Sequence, residues 1–184
     1  MEQNNSQSLN QHWWVPNRVF LSMSIVVIAL TVIMLVIAYP LLPANIPVHF
    51  NLTGFPYDTM TKSWWTVFFP AGLQIILTAF MWWLSKRPQY SNIPNSTTLQ
   101  ALPEPVRTKV KYLLAHLLVM TALLADLMFA YIAMAVVRVG IGLDTRLNSL
   151  VIFGLVGLLL VLIAMYTIWI RRLILSHRSV RITG

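Results

Sequence analysis

The sequence contains no cysteine and few charged residues. Without cysteine, the chain has no disulfide framework, no thiolate metal site and no catalytic thiol. Charged residues make up 10% of its 184 residues, whereas a typical soluble domain carries roughly 25%. With 58% hydrophobic residues and a mean hydropathy of +0.71, the chain lacks the polar surface that a soluble fold of this size needs. The composition therefore predicts an integral membrane protein.

Catalytic motifs are also missing. The chain has no nucleophile elbow, phosphate-binding loop, HExxH pair, dinucleotide fingerprint or EF-hand. Its four histidines lie in four separate segments, and its acidic residues form no close pair. We therefore expect no catalytic residue, no metal site and no cofactor, and we interpret the protein as a non-enzyme. The acidic residues are Glu2, Asp58, Glu104, Asp126 and Asp144.

Long apolar stretches are the main positive feature. Crossing a hydrocarbon core of about 30 Å takes about 20 apolar residues, and residues 19–39, 64–84, 112–137 and 150–170 satisfy this. All seven tryptophans lie at the ends of these stretches, at the headgroup level that this side chain prefers. The first stretch is too long for a signal peptide, so we expect it to be retained. We predict an all-α integral membrane protein, a bundle of four transmembrane helices.

Lysine and arginine predict the orientation, because cytoplasmic loops carry more of them. Segments 1–18, 85–111 and 171–184 hold ten, whereas segments 40–63 and 138–149 hold three. We therefore predict cytoplasmic termini, with a cytoplasmic basic loop at 85–111 and a cytoplasmic basic tail at 171–184. The net charge of +8 follows from this topology and does not require nucleic acid as a partner. Glu104 and Pro105 suit a helix start, so the third helix is expected to begin before its span.

The predicted external loop, residues 40–63, is rich in proline. Its four prolines disfavour helix, which predicts an extended and turned segment. Ile46 to Asn51 favours a short strand, and Thr53-Gly54 favours a turn after it. His49 and Asp58 could form a hydrogen-bonded pair or two ligands of a metal site. The cluster of His49, Asn51, Asp58 and Lys62 could instead hold the loop's own backbone, bind a partner, or take part in catalysis.

The same loop resembles a known bacterial membrane family, the domain of unknown function 1648, which also occurs in SdpI-type immunity proteins. The resemblance rests on Leu-Pro, then Ile-Pro-x-His-Phe-Asn, then Gly-x-Pro and a final Lys, with the family spacing kept from Pro43 to Lys62. In one departure, Tyr57 occupies the usual position of the acid and Asp58 follows it. The resemblance covers the first two spans, residues 19–84. It implies a bacterial cytoplasmic membrane and a partner-binding loop, with these residues: Pro47, His49, Asn51, Gly54, Asp58 and Lys62.

The segment 112–170 holds the last two spans. The third span contains one carboxyl group, that of Asp126. A charged Asp126 at the bilayer centre would cost about 2.5–3.5 kcal/mol, so we expect it to face the bundle interior. Gln74 and Thr31 lie at the middle of their own spans and are its expected partners, through a hydrogen bond between the Gln74 amide and the Asp126 carboxyl. Polar contact between helices, a proton or ion pathway, and contact with a partner subunit remain alternatives. His116 lies about 15 Å from Asp126 along the axis and is expected to make a separate interhelical or headgroup-level hydrogen bond.

These features favour three functions. The first is an immunity or signalling protein whose external loop contacts a protein or peptide. The second is an accessory subunit packed against a larger membrane complex, and the third is an ion- or proton-coupled transporter centred on Asp126. The expected partners are the lipid bilayer and either another protein or a second copy of the chain.

Overall fold

The computed structural model describes residues 15–87, 90 and 99–179, and within them the chain is mostly helical. The four long helices are α1 (Val15–Ala38), α2 (Trp64–Ser85), α3 (Glu104–Gly140) and α4 (Ser149–Ser179). Each is long and apolar enough to cross a membrane. The prediction of four helices long and apolar enough to span a membrane is confirmed. Trp13, Trp14 and Arg181, which supported the predicted topology, lie outside the described residues.

Helix ends follow local sequence signals. Ser63 caps α2, and its hydroxyl accepts a hydrogen bond from the Thr66 amide at 3.0 Å. The third helix begins at Glu104 with Pro105 in its first turn, as its sequence predicted. Its 37 residues span about 55 Å, so it extends beyond an apolar core of about 30 Å. The fourth helix continues to Ser179, into the segment assigned to the basic tail.

Helix α3 occupies the centre of the fold and packs against α1, α2 and α4. Helices α1 and α2 also pack against each other, whereas α4 packs mainly on α3. The buried residues of α4 recur every four positions, which gives it one contact stripe: Leu162, Tyr166, Ile170 and Ile174. The architecture is therefore a core of three helices with α4 attached to the outer side of α3.

Two apolar clusters lie at opposite ends of this bundle. The hairpin-end cluster joins α1, α2 and α3 to the segment between α1 and α2, through Leu35, Ala38, Leu42, Ile46, Val67, Ala71, Ala133 and Val137. The opposite-end cluster joins the first half of α3 to α4, through Leu99, Leu102, Val106, Val110, Leu113, Leu114 and the α4 stripe. Buried polar residues of α1, α2 and α3 lie outside both clusters.

A β-hairpin connects α1 to α2. A single 3₁₀ turn, Tyr39–Leu41, follows α1, and strands β1 (Asn45–Phe50) and β2 (Pro56–Thr61) then pair antiparallel. Asn45 faces Thr61 at the base, and the register is irregular on both sides of His49. Strand β1 packs on α3. The sequence predicted the first strand but not the second, in which the strand formers Tyr57, Thr59 and Thr61 alternate with other residues after a proline.

The hairpin tip is bound to the α3–α4 loop. The Leu147 amide donates a hydrogen bond to the Gly54 carbonyl at 2.8 Å, and the Arg146 guanidinium lies 5.6 Å from the centre of the Phe55 ring. Arg138, in the last turn of α3, donates two hydrogen bonds to the Asp144 carboxylate in the loop, at 2.5 and 3.1 Å. These bonds lower the pKa of Asp144. The hairpin and this loop therefore form one end of the molecule, the hairpin end.

Candidate binding site

Asn51 fixes the hairpin turn. Its side-chain oxygen accepts hydrogen bonds from the Thr53 amide at 3.0 Å, the Thr53 hydroxyl at 2.8 Å and the Phe55 amide at 2.9 Å. Its backbone pairs with Phe55 as well. An asparagine that satisfies its own turn in this way has a structural role, so Asn51 holds the loop's backbone.

Gly54 is required at the junction of the two loops. Its φ of +85° lies in the left-handed region that favours glycine. A Cβ atom at this position would lie 1.8 Å from the Leu147 carbonyl oxygen, which no side chain can occupy. Glycine therefore permits both the turn and the close approach of the α3–α4 loop.

Lys62 connects the end of the hairpin to the end of α1. Its ammonium donates to the Leu42 carbonyl at 2.7 Å and lies 3.5 Å from the Tyr39 carbonyl. It also lies 5.3 Å from the centre of the Tyr39 ring, which stacks on Trp64 at 4.1 Å. The ammonium therefore gives the Leu42 carbonyl a charged donor just after the helix ends, whereas the Tyr39 carbonyl also accepts from the Leu42 amide.

Pro47 is buried in β1 and borders an apolar cavity of about 410 Å³ between the hairpin, α2 and α3. Its ring packs close to Gly140, the last residue of α3. The absence of an amide donor in Pro47 has little cost on a two-stranded ribbon, in which each strand has a free edge. Pro47 therefore seats the hairpin on α3.

His49 and Asp58 are the two signature residues that project into solvent. The His49 Nδ1 atom lies 2.9 Å from the Asp58 carboxylate, and their side chains are 58% and 51% exposed. The Tyr57 ring, itself exposed, stacks at 5.9 Å from the His49 ring. The irregular register places Asp58 opposite His49. The sequence allowed two interpretations of these residues, a hydrogen-bonded pair or a metal site. The structure places them as a pair, and a metal ion would find only these two ligands on the hairpin.

Elsewhere in the described residues, histidine and carboxylate side chains do not cluster either. Across residues 15–87, 90 and 99–179, no group of three His, Cys, Asp or Glu side chains could hold a metal ion. What the hairpin offers is a polar, aromatic surface, which we name the exposed patch: His49, Tyr57 and Asp58.

The buried polar contact brings three helices together around Asp126. The Gln74 amide donates to the Asp126 backbone carbonyl at 2.7 Å and lies 3.4 Å from the Thr31 hydroxyl. The Asp126 carboxyl accepts a hydrogen bond from the Thr78 hydroxyl at 2.7 Å. The structure thus places Thr31, Gln74 and Asp126 together, but Gln74 contacts the backbone of Asp126 and not its carboxyl.

Sequence reasoning missed Thr78 and two further polar residues. Thr78 lies one helical turn after Gln74, so the i, i+4 rule could have found it. Along α1, Asn17, Ser24 and Thr31 recur every seven residues, and all three are buried. Asn17 lies 2.8 Å from the Nδ1 atom of His116, which gives that histidine an interhelical hydrogen bond. A seven-residue spacing of small polar residues was the available signal.

Comparisons with known proteins address only part of the chain. No curated protein and no solved structure is similar enough to match. One family model matches, over residues 26–75, from the middle of α1 through the hairpin to the middle of α2. This segment, which carries Pro47, His49, Asn51, Gly54, Asp58 and Lys62, matches the family described as a domain of unknown function, DUF1648.

Proposed function

We propose that the chain is a multipass protein of the bacterial cytoplasmic membrane, with both termini in the cytoplasm and the hairpin end outside. In this orientation the basic segments lie on the cytoplasmic side, as the distribution of lysine and arginine favours. The exposed patch then faces the space from which a secreted protein or peptide arrives.

The proposed activity is binding of such a partner by the exposed patch, in an immunity or signalling role. One observation carries it: Pro47, Asn51, Gly54 and Lys62 hold the fold through the contacts above, whereas His49 and Asp58 are half exposed. Exposed charged and aromatic side chains held on an ordered turn are typical of binding surfaces. No catalytic group accompanies them on the hairpin.

A survival assay tests the immunity role. We expect the parent bacterium without this gene to be killed by its own culture supernatant, and the wild-type gene to restore growth. The double variant His49→Ala with Asp58→Ala removes the exposed patch's polar pair and should not restore growth. Thr59→Ala, an exposed change on the same strand, is the matched control and should protect fully.

Normal growth of the deletion strain in its own supernatant would contradict immunity. Full protection by the double variant, at wild-type protein level, would contradict the role of the exposed patch.

An accessory subunit is the second candidate, favoured by α4. Beyond its contact stripe this helix exposes large apolar side chains over most of its length, including Leu150, Phe153, Leu158 and Leu160. Lipid or a neighbouring protein could cover such a surface. Purification in mild detergent separates the two, because a subunit would elute with a complex much larger than its own 21.0 kDa and detergent micelle.

A further inference from the structure

Three buried oxygen atoms around Asp126 have no hydrogen-bond partner among the described residues. They are the Ser24 hydroxyl on α1, the Gln74 side-chain oxygen on α2 and one carboxyl oxygen, Oδ1, of Asp126 on α3. All three residues are fully buried. Buried polar atoms are almost always partnered, because leaving one unpaired costs about 1–3 kcal/mol. Three at one place therefore call for a common explanation.

A reversed Gln74 amide does not explain these unpaired atoms. Exchanging its nitrogen and oxygen would turn the oxygen toward the Asp126 carbonyl, 2.7 Å away, and a carbonyl can only accept. The nitrogen must therefore face Asp126. The unpaired oxygen of Gln74 is a consequence of that contact and keeps its position.

The Ser24 hydroxyl is also directed away from its own helix. On the same helix, Ser22 and Thr31 bond to carbonyls one turn earlier, Arg18 at 2.9 Å and Val27 at 2.8 Å. Ser24 makes no such bond. Its hydroxyl instead faces the Asp126 carboxyl, in a contact that is at most a weak and poorly aligned hydrogen bond. The three oxygen atoms thus belong to residues of three helices that meet at Asp126.

We propose that these oxygens form a binding site for one hard monovalent cation of the sodium class. The set contains only oxygen atoms, the ligand type that hard cations prefer. It carries one carboxylate, whose neighbours are the neutral hydroxyls of Ser24 and Thr78. The Gln74 amide, on the Asp126 backbone carbonyl, is also neutral. One monovalent cation would neutralise this charge, whereas a divalent cation would leave excess charge in an apolar surrounding. Thr78 holds the second carboxyl oxygen and so orients Asp126.

Thermal unfolding of the full chain in detergent tests the site. We expect the Tm, followed by tryptophan fluorescence, to rise saturably when sodium chloride replaces N-methylglucamine chloride at constant pH and ionic strength. The rise should reach roughly 2–4 °C or more at saturation, because a ligand that binds only the folded state stabilises it. Asp126→Asn keeps the shape without the charge and should abolish the sodium response.

Ser24→Ala should weaken the response without removing the carboxylate, so it shifts the half-saturating sodium concentration upward. Ser22→Ala is its matched control, because Ser22 lies on the same helix, is exposed and bonds to its own backbone. It should keep the wild-type response. These two variants keep the test decisive if Asp126→Asn does not fold.

Equal Tm values in the two salts would overturn the proposal. A Tm that depends on pH but not on sodium, with the dependence lost in Asp126→Asn, would assign a proton to Asp126 and would also overturn it. A half-saturating sodium concentration unchanged in Ser24→Ala, or a sodium response that survives in Asp126→Asn, would place the bound ion elsewhere and overturn the proposal.

Discussion

Position 54 requires glycine for two separate reasons. Its backbone is left-handed, and the Leu147 carbonyl oxygen occupies the place of a side chain. Gly142 offers a matched comparison, because its φ of +78° is similar but no atom lies within 4 Å of its Cβ position. The difference between the two positions therefore isolates the contact between the hairpin and the α3–α4 loop.

We predict that Gly54→Ala destabilises the protein more than Gly142→Ala does. The left-handed backbone alone costs an alanine about 1–2 kcal/mol, and only Gly54→Ala must also displace Leu147. Thermal unfolding in detergent measures both. Equal losses of stability would show that the two loops do not meet as described.

The sequence could predict some residue roles and not others. His49 and Asp58 were proposed as a pair because both side chains are reactive and near in sequence. The role of Gly54 against Leu147 was not predictable, because the two residues are far apart in the chain and no local pattern joins them. Thr78 was missed for a simpler reason: a threonine in an apolar helix is compatible with lipid or with a buried contact.

At the scale of elements, Lys62 joins the end of the hairpin to the turn that follows α1. We predict that Lys62→Met lowers the Tm, since a buried or half-buried carbonyl left without its partner costs about 1–3 kcal/mol. Methionine retains the apolar stem, so the loss isolates the ammonium. Lys62→Arg keeps charge and donors and should recover part of the loss. An unchanged Tm for Lys62→Met would contradict the capping role.

The helices were predictable as elements, and the hairpin only in part. An uninterrupted apolar run of about 20 residues specifies a spanning helix almost by itself. By contrast, β2 was not predicted: its Tyr57, Thr59 and Thr61 favour a strand, but Pro56 and Asp58 oppose it. It pairs with β1 because Asn51 and Gly54 reverse the chain. The extension of α4 to Ser179 was also missed, since hydropathy marks where a span ends and not where a helix ends.

At the scale of the whole molecule, packing departs from the simple bundle. Composition predicted four helices but not that α3 would contact the other three while α4 would contact mainly α3. Apolar side chains cover most faces of α4, so the spacing of its apolar residues did not show which face contacts α3. The buried polar residues were more informative, because an Asp126 within an apolar stretch had to face another helix.

The central claim is that the hairpin lies outside the cell, and labelling of a single cysteine tests it most directly. The chain has no cysteine of its own, so His49→Cys and Gln100→Cys each introduce one exposed thiol, at the hairpin end and before α3 respectively. We predict that a maleimide unable to cross the membrane labels position 49 in intact cells, and labels position 100 only after the cells are opened. Labelling of position 100 in intact cells, with position 49 protected until they are opened, would contradict the account.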